Sequence, residues 1–190
     1  GCGKAPWDAY LANAAFPAKS ARDLIAMAKE KPGSITYGTG GIGSASHLAV
    51  ELFSSLSGPT YNHIPYKGAG PALTELVAGQ VNFMIATMPG AIQHVRGGRL
   101  RALGISADKR IPGVDIQTLK EQGVDVEMVN WRAIFAAPGI TDAQRKDLID
   151  AVEKTVKTPA WQETLKKNDW TDMLLTGDQF KTFLDDDTKR

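Results

Sequence analysis

The chain is short of the residues that carry redox or metal chemistry. Among its 190 residues Cys2 is the only cysteine, which excludes a disulfide framework and a cysteine-based zinc site. Its histidines are His47, His63 and His94, and no two stand at i, i+4 spacing, so the paired ligands of a helical zinc site are missing. Charge of one sign is also lacking. There are 22 Lys and Arg against 21 Asp and Glu, a net charge of +1 spread along the chain, which gives no basic face for nucleic acid. No run reaches the roughly 20 apolar residues of a membrane-crossing helix. Repeats and low-complexity segments are absent. The chain opens on Gly1-Cys2 rather than Met, and no leader is visible. Such a start is compatible with a cleaved bacterial lipoprotein signal and a lipid anchor on Cys2; an engineered scar or an arbitrary truncation is the simpler account.

What is present is a globular composition, 43% hydrophobic and 23% charged, long enough for one domain or for a full lobe plus part of another. Residues 1–19 show no period and read as an irregular lead-in. Ser20 caps a helix lined by Leu24, Ile25, Met27 and Ala28, and Pro32-Gly33 stops it. Then "SITYGT", "YNHIPY", "QVNFMIAT" and "LRALGIS" read as strands. Between them lie helices over Ser46–Leu56 (striped by Leu48, Leu52, Phe53 and Leu56), Pro71–Ala78 and Pro89–Arg96. Strand and helix in alternation predict right-handed βαβ units: an α/β fold with a mostly parallel sheet flanked by helices. After Ser106 the pattern changes to a loop, a short helix over Gln117–Gln122, and the long extended run "VEMVNWRAIFAAPG", which suits a crossing between lobes. From Thr141 the chain is helical, with apolar residues at Leu148, Ile149, Val152 and Val156. A further helix starts at Pro159 and a last one, bearing Phe180, Phe183 and Leu184, runs over Asp178–Asp187. Its acidic end, Asp185 to Asp187, reads as a solvated terminus. The expected organisation is therefore a lead-in over 1–19, an α/β lobe over 20–125, a crossover over 126–139 and a helical part over 140–190.

The segment "ITYGTGGIGSASHLAVELF", residues 35–53, contains a literal G-x-G-x-x-G at Gly38, Gly40 and Gly43. A dinucleotide fold also needs an acidic residue roughly 20 positions further on for the ribose hydroxyls. Between Glu51 and Glu75 there is no Asp or Glu, and the next strand ends in Tyr66-Lys67-Gly68. A Walker A loop fails because Ser44-Ala45 stands where Lys-Ser/Thr is required. What survives is the physics beneath both motifs: free backbone N–H groups at a helix start, with hydroxyls from Thr39, Ser44 and Ser46, form a seat for a carboxylate or phosphate. A plain strand-to-helix turn with an ordinary serine cap fits the loop equally well. Lys67 either attracts an anion or is solvated, and Tyr66 either lines a pocket or covers the sheet edge. His47, in the first turn of a helix, lines a cleft or bonds locally. His63 reads as structural and His94 as exposed. No G-x-S-x-G elbow and no paired carboxylates point to a hydrolase. On the crossover, Arg132 is placed to meet a carboxylate or a surface acid, and Trp131 to pack at a hinge.

Taken together, "YGTGGIGSASHLAVELF", "HIPYKGAGPALTELVAGQVNFMIATMPGAIQHVRGGRLRALGIS" and "NWRAIFAAPGIT" resemble the substrate-binding proteins of tripartite tricarboxylate transporters, the Bug receptors, from about Phe16 to the C-terminus. The resemblance implies a two-lobed, hinged, periplasmic-binding-protein-like fold that closes on a small organic acid and passes it to membrane permease subunits. It implies a periplasmic location, no cofactor and no catalysis. By the same resemblance Thr39, Gly40, Gly41, Gly43, Ser44, Ser46 and His47 form part of the carboxylate seat. Tyr66, Lys67 and Gly68 stand beside it, and Thr87 and Arg132 are further candidates. Two departures stand out. Ala86-Thr87 replaces an Asp that family members often carry after the "FMIA" strand, which argues against an amino-acid ligand. The first strand and G-G-x-x-D-like loop of the family are also absent here. Leu148, Val152, Phe180 and Phe183 are then expected to lack a partner, so that the chain self-associates or repacks. The alternatives are an α/β enzyme using the loop to hold a phosphorylated small molecule, and a free-standing interaction module.

Overall fold

The computed structural model describes residues 3–5, 7–111, 115–126, 130–168 and 170–189. Cys2, the candidate lipid-anchor residue, lies outside them, as do residues 127–129 of the expected crossover. The chain divides into two compact units, Trp7–Met128 and Gly1–Pro6 with Val129–Arg190.

The larger unit is built on a five-stranded sheet of order β4-β3-β5-β2-β6, with β2 Ala9–Asn13, β3 Thr36–Thr39, β4 Asn62–Pro65, β5 Phe83–Ala86 and β6 Leu100–Ile105. β3 pairs parallel with β4 and β5, while β2 runs antiparallel to both β5 and β6. One strand of five is thus reversed in an otherwise parallel sheet. Residues 9–13 correct the expectation of an irregular lead-in. "AYLAN" shows no alternation because both sides of the strand are covered. Tyr10 and Ala12 face one core with Tyr37, Val50, Phe53 and Phe83, whereas Ala9 and Leu11 face the other with Leu76, Met84 and Ile105. Pro65 sits on the edge strand, where its missing N–H costs no ladder bond.

Helix α1, Ala21–Glu30, and α2, Ala45–Ser57, cover one face; α3, Ala69–Val77, and α4, Met88–Arg96, cover the other. Ser20 caps α1 by accepting from the Asp23 amide, as the sequence predicts. In α2 the buried residues are Ala49, Val50 and Phe53, whereas Leu48 and Leu56 are each 53% exposed. Of the expected stripe, Phe53 is buried and Leu52 packs against the core, while Leu48 and Leu56 are turned outward and Ala49 and Val50 complete the contact. Residues 117–122 form turns rather than the expected short helix; Thr118 bridges Ile105 at the sheet edge. The buried Gln122 ends this turn. Its Oε1 accepts from the Ala21 amide at 2.7 Å and its Nε2 donates to the Leu103 carbonyl at 2.9 Å, so it ties the start of α1 to β6. Gly104 makes room for it: a Cβ there would lie 2.8 Å from Gln122 Nε2.

In the smaller unit β1, Gly3–Ala5, pairs antiparallel with β7, Asn130–Arg132. Helices α5, Asp142–Val156, α6, Pro159–Asn168, and α7, Gly177–Asp187, complete it. A reciprocal box of Thr141 and Gln144 opens α5. Trp131 meets Phe180 and Phe183 edge-on at 6.0 and 5.6 Å and donates Nε1–H to Asp187 at 2.9 Å. Asp187 is thus a partner inside the unit rather than only a solvated end.

Replacing Gln122 by Leu orphans a buried N–H and a buried carbonyl. At about 1–3 kcal/mol for each orphaned group, Gln122→Leu is expected to lower stability by about 2–6 kcal/mol, read as a lower urea midpoint at unchanged m.

Candidate functional site

The parallel strands β3, β4 and β5 are neighbours, and their carboxyl ends lie at one edge of the sheet. Each feeds a helix: β3 leads through residues 40–44 to α2, β4 through 66–68 to α3, and β5 through Thr87 to α4. Three helix starts are gathered there, at the edge where open α/β sheets bind ligands. None of the three has an acidic residue in its first turn. By contrast α1, α5 and α7 carry Asp23, Asp142 and Asp178 in theirs. The partial positive charge at the ends of α2, α3 and α4 is therefore not neutralised by the helices' own first turns.

The loop after β3 is held against the segment after β4. Tyr66 donates its amide to the Thr39 carbonyl at 2.9 Å, and Gly68 donates to Gly40 O at 3.2 Å. A Cβ on Gly40 would meet Ala69 N at 3.1 Å and Gly68 C at 3.2 Å, both backbone atoms with little freedom to yield. A Cβ on Gly38 would lie 3.3 Å from both the Tyr66 ring and Val81. These two glycines of the G-x-G-x-x-G serve close approach, while Gly43, at φ 76°, serves a turn that other residues rarely adopt. Gly41 has φ 134°, and its carbonyl accepts from the Ser44 amide. Ser44 caps α2 by accepting from the His47 amide at 3.3 Å and lies 3.2 Å from the Ser46 hydroxyl. The amides of Ala45 and Ser46, in the first helical turn, have no intrahelical partner by construction.

Beneath the loop the side chains form a stack that sequence reading misses. The β3–β4 register sets Tyr37 opposite His63. Their rings stack at 4.8 Å, and His47 from α2 lies over His63 at 4.2 Å. The buried Thr39 hydroxyl is 2.6 Å from His63 Nε2 and accepts the Gly41 amide at 3.2 Å. His47 Nδ1 accepts the Gly43 amide at 3.1 Å. Tyr37 donates to Glu51 at 2.7 Å, and burial followed by that carboxylate holds its phenol far above the ordinary range. His63 is held below its usual value, first by burial and then by the charge of His47, with Glu51 opposing. His63 is thus structural, as expected, and its place is specific: it braces Thr39, which bonds the loop.

The other candidates are placed as follows. Tyr66 is half-buried against the core below α3, and burial followed by Glu75 raises its phenol. Lys67 is exposed, Gly68 starts α3 at φ 113°, and Thr87 starts α4 without a side-chain cap bond. Thr39 to His47, Tyr66 to Gly68 and Thr87 therefore belong to one sheet edge. Arg132 belongs to the smaller unit, where its guanidinium lies 5.7 Å over the Trp170 ring. Ile42, 80% exposed at the tip of the loop, is an apolar neighbour that sequence reasoning did not single out.

A mostly parallel α/β sheet with helix starts collected at its carboxyl edge is shared by many ligand-binding open α/β folds, and similarity to known proteins narrows the class. Residues 5–190 match the model of the tripartite tricarboxylate transporter family receptor, and the chain belongs to that family. A UPF0065 protein of Bordetella pertussis is 37% identical over 160 residues, covering 83% of this chain and 50% of that protein. Among solved structures, the periplasmic binding protein BugD superposes with a TM-score of 0.76 at 25% identity, covering 90% of this chain and 57% of that one. MatC from Rhodopseudomonas palustris, with bound malate, gives 0.78 at 26%, covering 88% and 57%. The chain spans about half the length of the curated relatives it matches. Among the described residues no helix is long and apolar enough to cross a membrane.

His63 generates a prediction whose sign is fixed. Its folded value lies below the ordinary 6.5, so the native state favours the neutral ring. Stability is then complete above the unfolded value and is lost as the pH falls from there through the folded one. Urea midpoints of the native chain should drop on acidification from neutral pH, and His63→Gln should flatten that drop. An equal drop in both proteins would show that His63 is not the group responsible.

Proposed function

We propose that this chain provides the carboxylate seat of an extracytoplasmic solute-binding receptor, which takes up a small organic acid in the periplasm and delivers it to the permease subunits of a tripartite tricarboxylate-type transporter. The observation that carries this reading is the set of three helix starts without first-turn acids at the ends of three adjacent parallel strands. Such a site offers amide donors and partial positive charge, and the hydroxyl that meets an imidazole, Thr39 beside His63, is fully buried, which suits retention rather than turnover. The ligand-contacting set is Thr39, Gly40, Gly41, Gly43, Ser44, Ser46 and His47, with Tyr66, Lys67, Gly68 and Thr87 beside it. Family membership and the malate bound by MatC support a carboxylate as the occupant. This chain spans about half the length of its relatives, so its affinity alone is expected to be weak, on the order of millimolar, about 4 kcal/mol.

An NMR titration tests the assignment. Malate should shift the amides of residues 40–47, 66–69 and 87–88, glycerol phosphate should not compete, and Gly40→Ala should weaken the malate response at least about tenfold by displacing Gly68 and Ala69. Preference for the phosphate ester, with turnover lost on Ser44→Ala, would support the enzyme reading instead. A longer form that includes the rest of the receptor should bind far more tightly; equal affinity would contradict the half-site.

The smaller unit also carries a groove of about 670 Å³ lined by Phe135, Leu148, Val152, Phe180 and Leu184 among others. Phe135 is 66% and Leu148 50% exposed. We infer that this chain alone self-associates through that face. Light scattering over a concentration series should show a dimer, and a monomer without dye-accessible apolar surface would reject it.

A further inference from the structure

His47 is the one imidazole of the stack that touches the loop backbone. Its Nδ1 accepts the Gly43 N–H at 3.1 Å. A backbone N–H can only donate, so Nδ1 is unprotonated and the ring proton of the neutral form sits on Nε2, which faces Glu51 Oε1 at 3.8 Å. In this state the ring consumes one of the loop's amide donors and adds no charge. Protonation reverses both. A proton on Nδ1 sets two donors face to face, so the Gly43 amide is released, and the imidazolium places a positive charge beside the helix start.

We propose that carboxylate binding at the loop is coupled to uptake of one proton by His47, which acts as a specificity-determining residue that releases the Gly43 amide and charges the seat as it protonates. This inference rests on the carboxylate seat proposed above and adds its regulation. The groups that face His47 are few. His63 on β4 stacks on it at 4.2 Å, Tyr37 on β3 lies 6.5 Å away, and Glu51 is one turn on along α2. Tyr37 stays protonated because its phenol donates to Glu51. Glu51 stabilises a charged His47. His63 opposes a second charge at that distance, so the pair takes up one proton before the other. His47 has the carboxylate beside it, whereas His63 is held toward its neutral form by burial and by His47. The proton comes from solvent, and no bond other than N–H forms.

The chain holds three histidines, so their imidazole ¹⁵N signals are readily assigned. Without ligand, the Gly43 amide should titrate with the midpoint of His47, and His47→Gln should abolish that response; a Gly43 amide that stays flat while His47 titrates overturns the proposal. Malate is then added across a window above the pH at which malate itself takes up a proton. The His47 midpoint should move up by about one pH unit, and malate affinity should rise as the pH falls, by at most about tenfold per unit, as reciprocal linkage of one proton requires. His47→Gln should remove that slope, whatever its affinity. If malate shifts the loop amides yet leaves the His47 midpoint in place, the coupling is wrong and the carboxylate seat stands. If the loop amides do not respond to malate at any pH, the seat itself fails and the coupling falls with it.

Discussion

The candidate site depends on a contact with no room for a side chain. Gly40 at the end of β3 lies against the backbone of Gly68 and Ala69 at the start of α3, where a Cβ would sit 3.1–3.2 Å from main-chain atoms. Two hydrogen bonds, from Tyr66 N to Thr39 O and from Gly68 N to Gly40 O, continue the β3–β4 pairing past the last ladder residues. The loop before α2 is thereby fixed relative to the start of α3. Because a bound anion must be met by several amides at once, this fixation sets whether the helix starts act on one ligand or separately. The energy of such a seat lies in preorganisation: the helix-start amides of Ala45 and Ser46 are placed before the ligand arrives, while those of Gly41 and Gly43 are held by Thr39 and His47.

Electrostatics follow from what the first turns omit. An acid near a helix N-terminus is worth a few tenths to one kcal/mol to that helix, and α1, α5 and α7 take that gain with Asp23, Asp142 and Asp178. Helices α2, α3 and α4 forgo it. The cost is spread over three helices of one unit whose starts face the same sheet edge; α6 in the smaller unit also lacks a first-turn acid. Glu51, one turn on from His47, is engaged by the Tyr37 hydroxyl and turned toward His47, which limits how far its negative charge opposes an incoming carboxylate.

Much of this was legible in the sequence where local chemistry decides. The βαβ alternation, the Ser20 cap and the helix after the glycine loop follow from turn residues and apolar spacing. Strand β2 was not legible, since "AYLAN" is buried on both faces and pairs with strands some 70 to 90 residues away, so it shows no period of its own. The stripe of α2 was half right, with Phe53 and Leu52 inward but Leu48 and Leu56 outward, because spacing alone does not say which arc meets the sheet. The short helix over 117–122 gave way to turns organised by Gln122, whose partners lie on α1 and β6. The histidine stack was hidden for the same reason: His63 meets Tyr37 only through the β3–β4 register, and His47 only through the docking of α2.

A seat made mostly of backbone amides has a further consequence for reading function. Amide donors carry no residue identity, so many sequences reach the same anion geometry provided the glycines that permit it are kept. Residue identity matters instead at the positions where side chains border the edge: Ile42 at the loop tip, Tyr66 and Lys67 after β4, and Thr87 after β5. In the proposed receptor, Thr87 would offer a neutral hydroxyl where an acid would select an amine, and Ile42 would offer apolar area to the body of a ligand. On that proposal the general class of ligand follows from the strand order and the glycines, and the particular acid from these few side chains. His47 stands between the two sets, because its side chain acts on the backbone donor at Gly43 and so alters the amide seat itself.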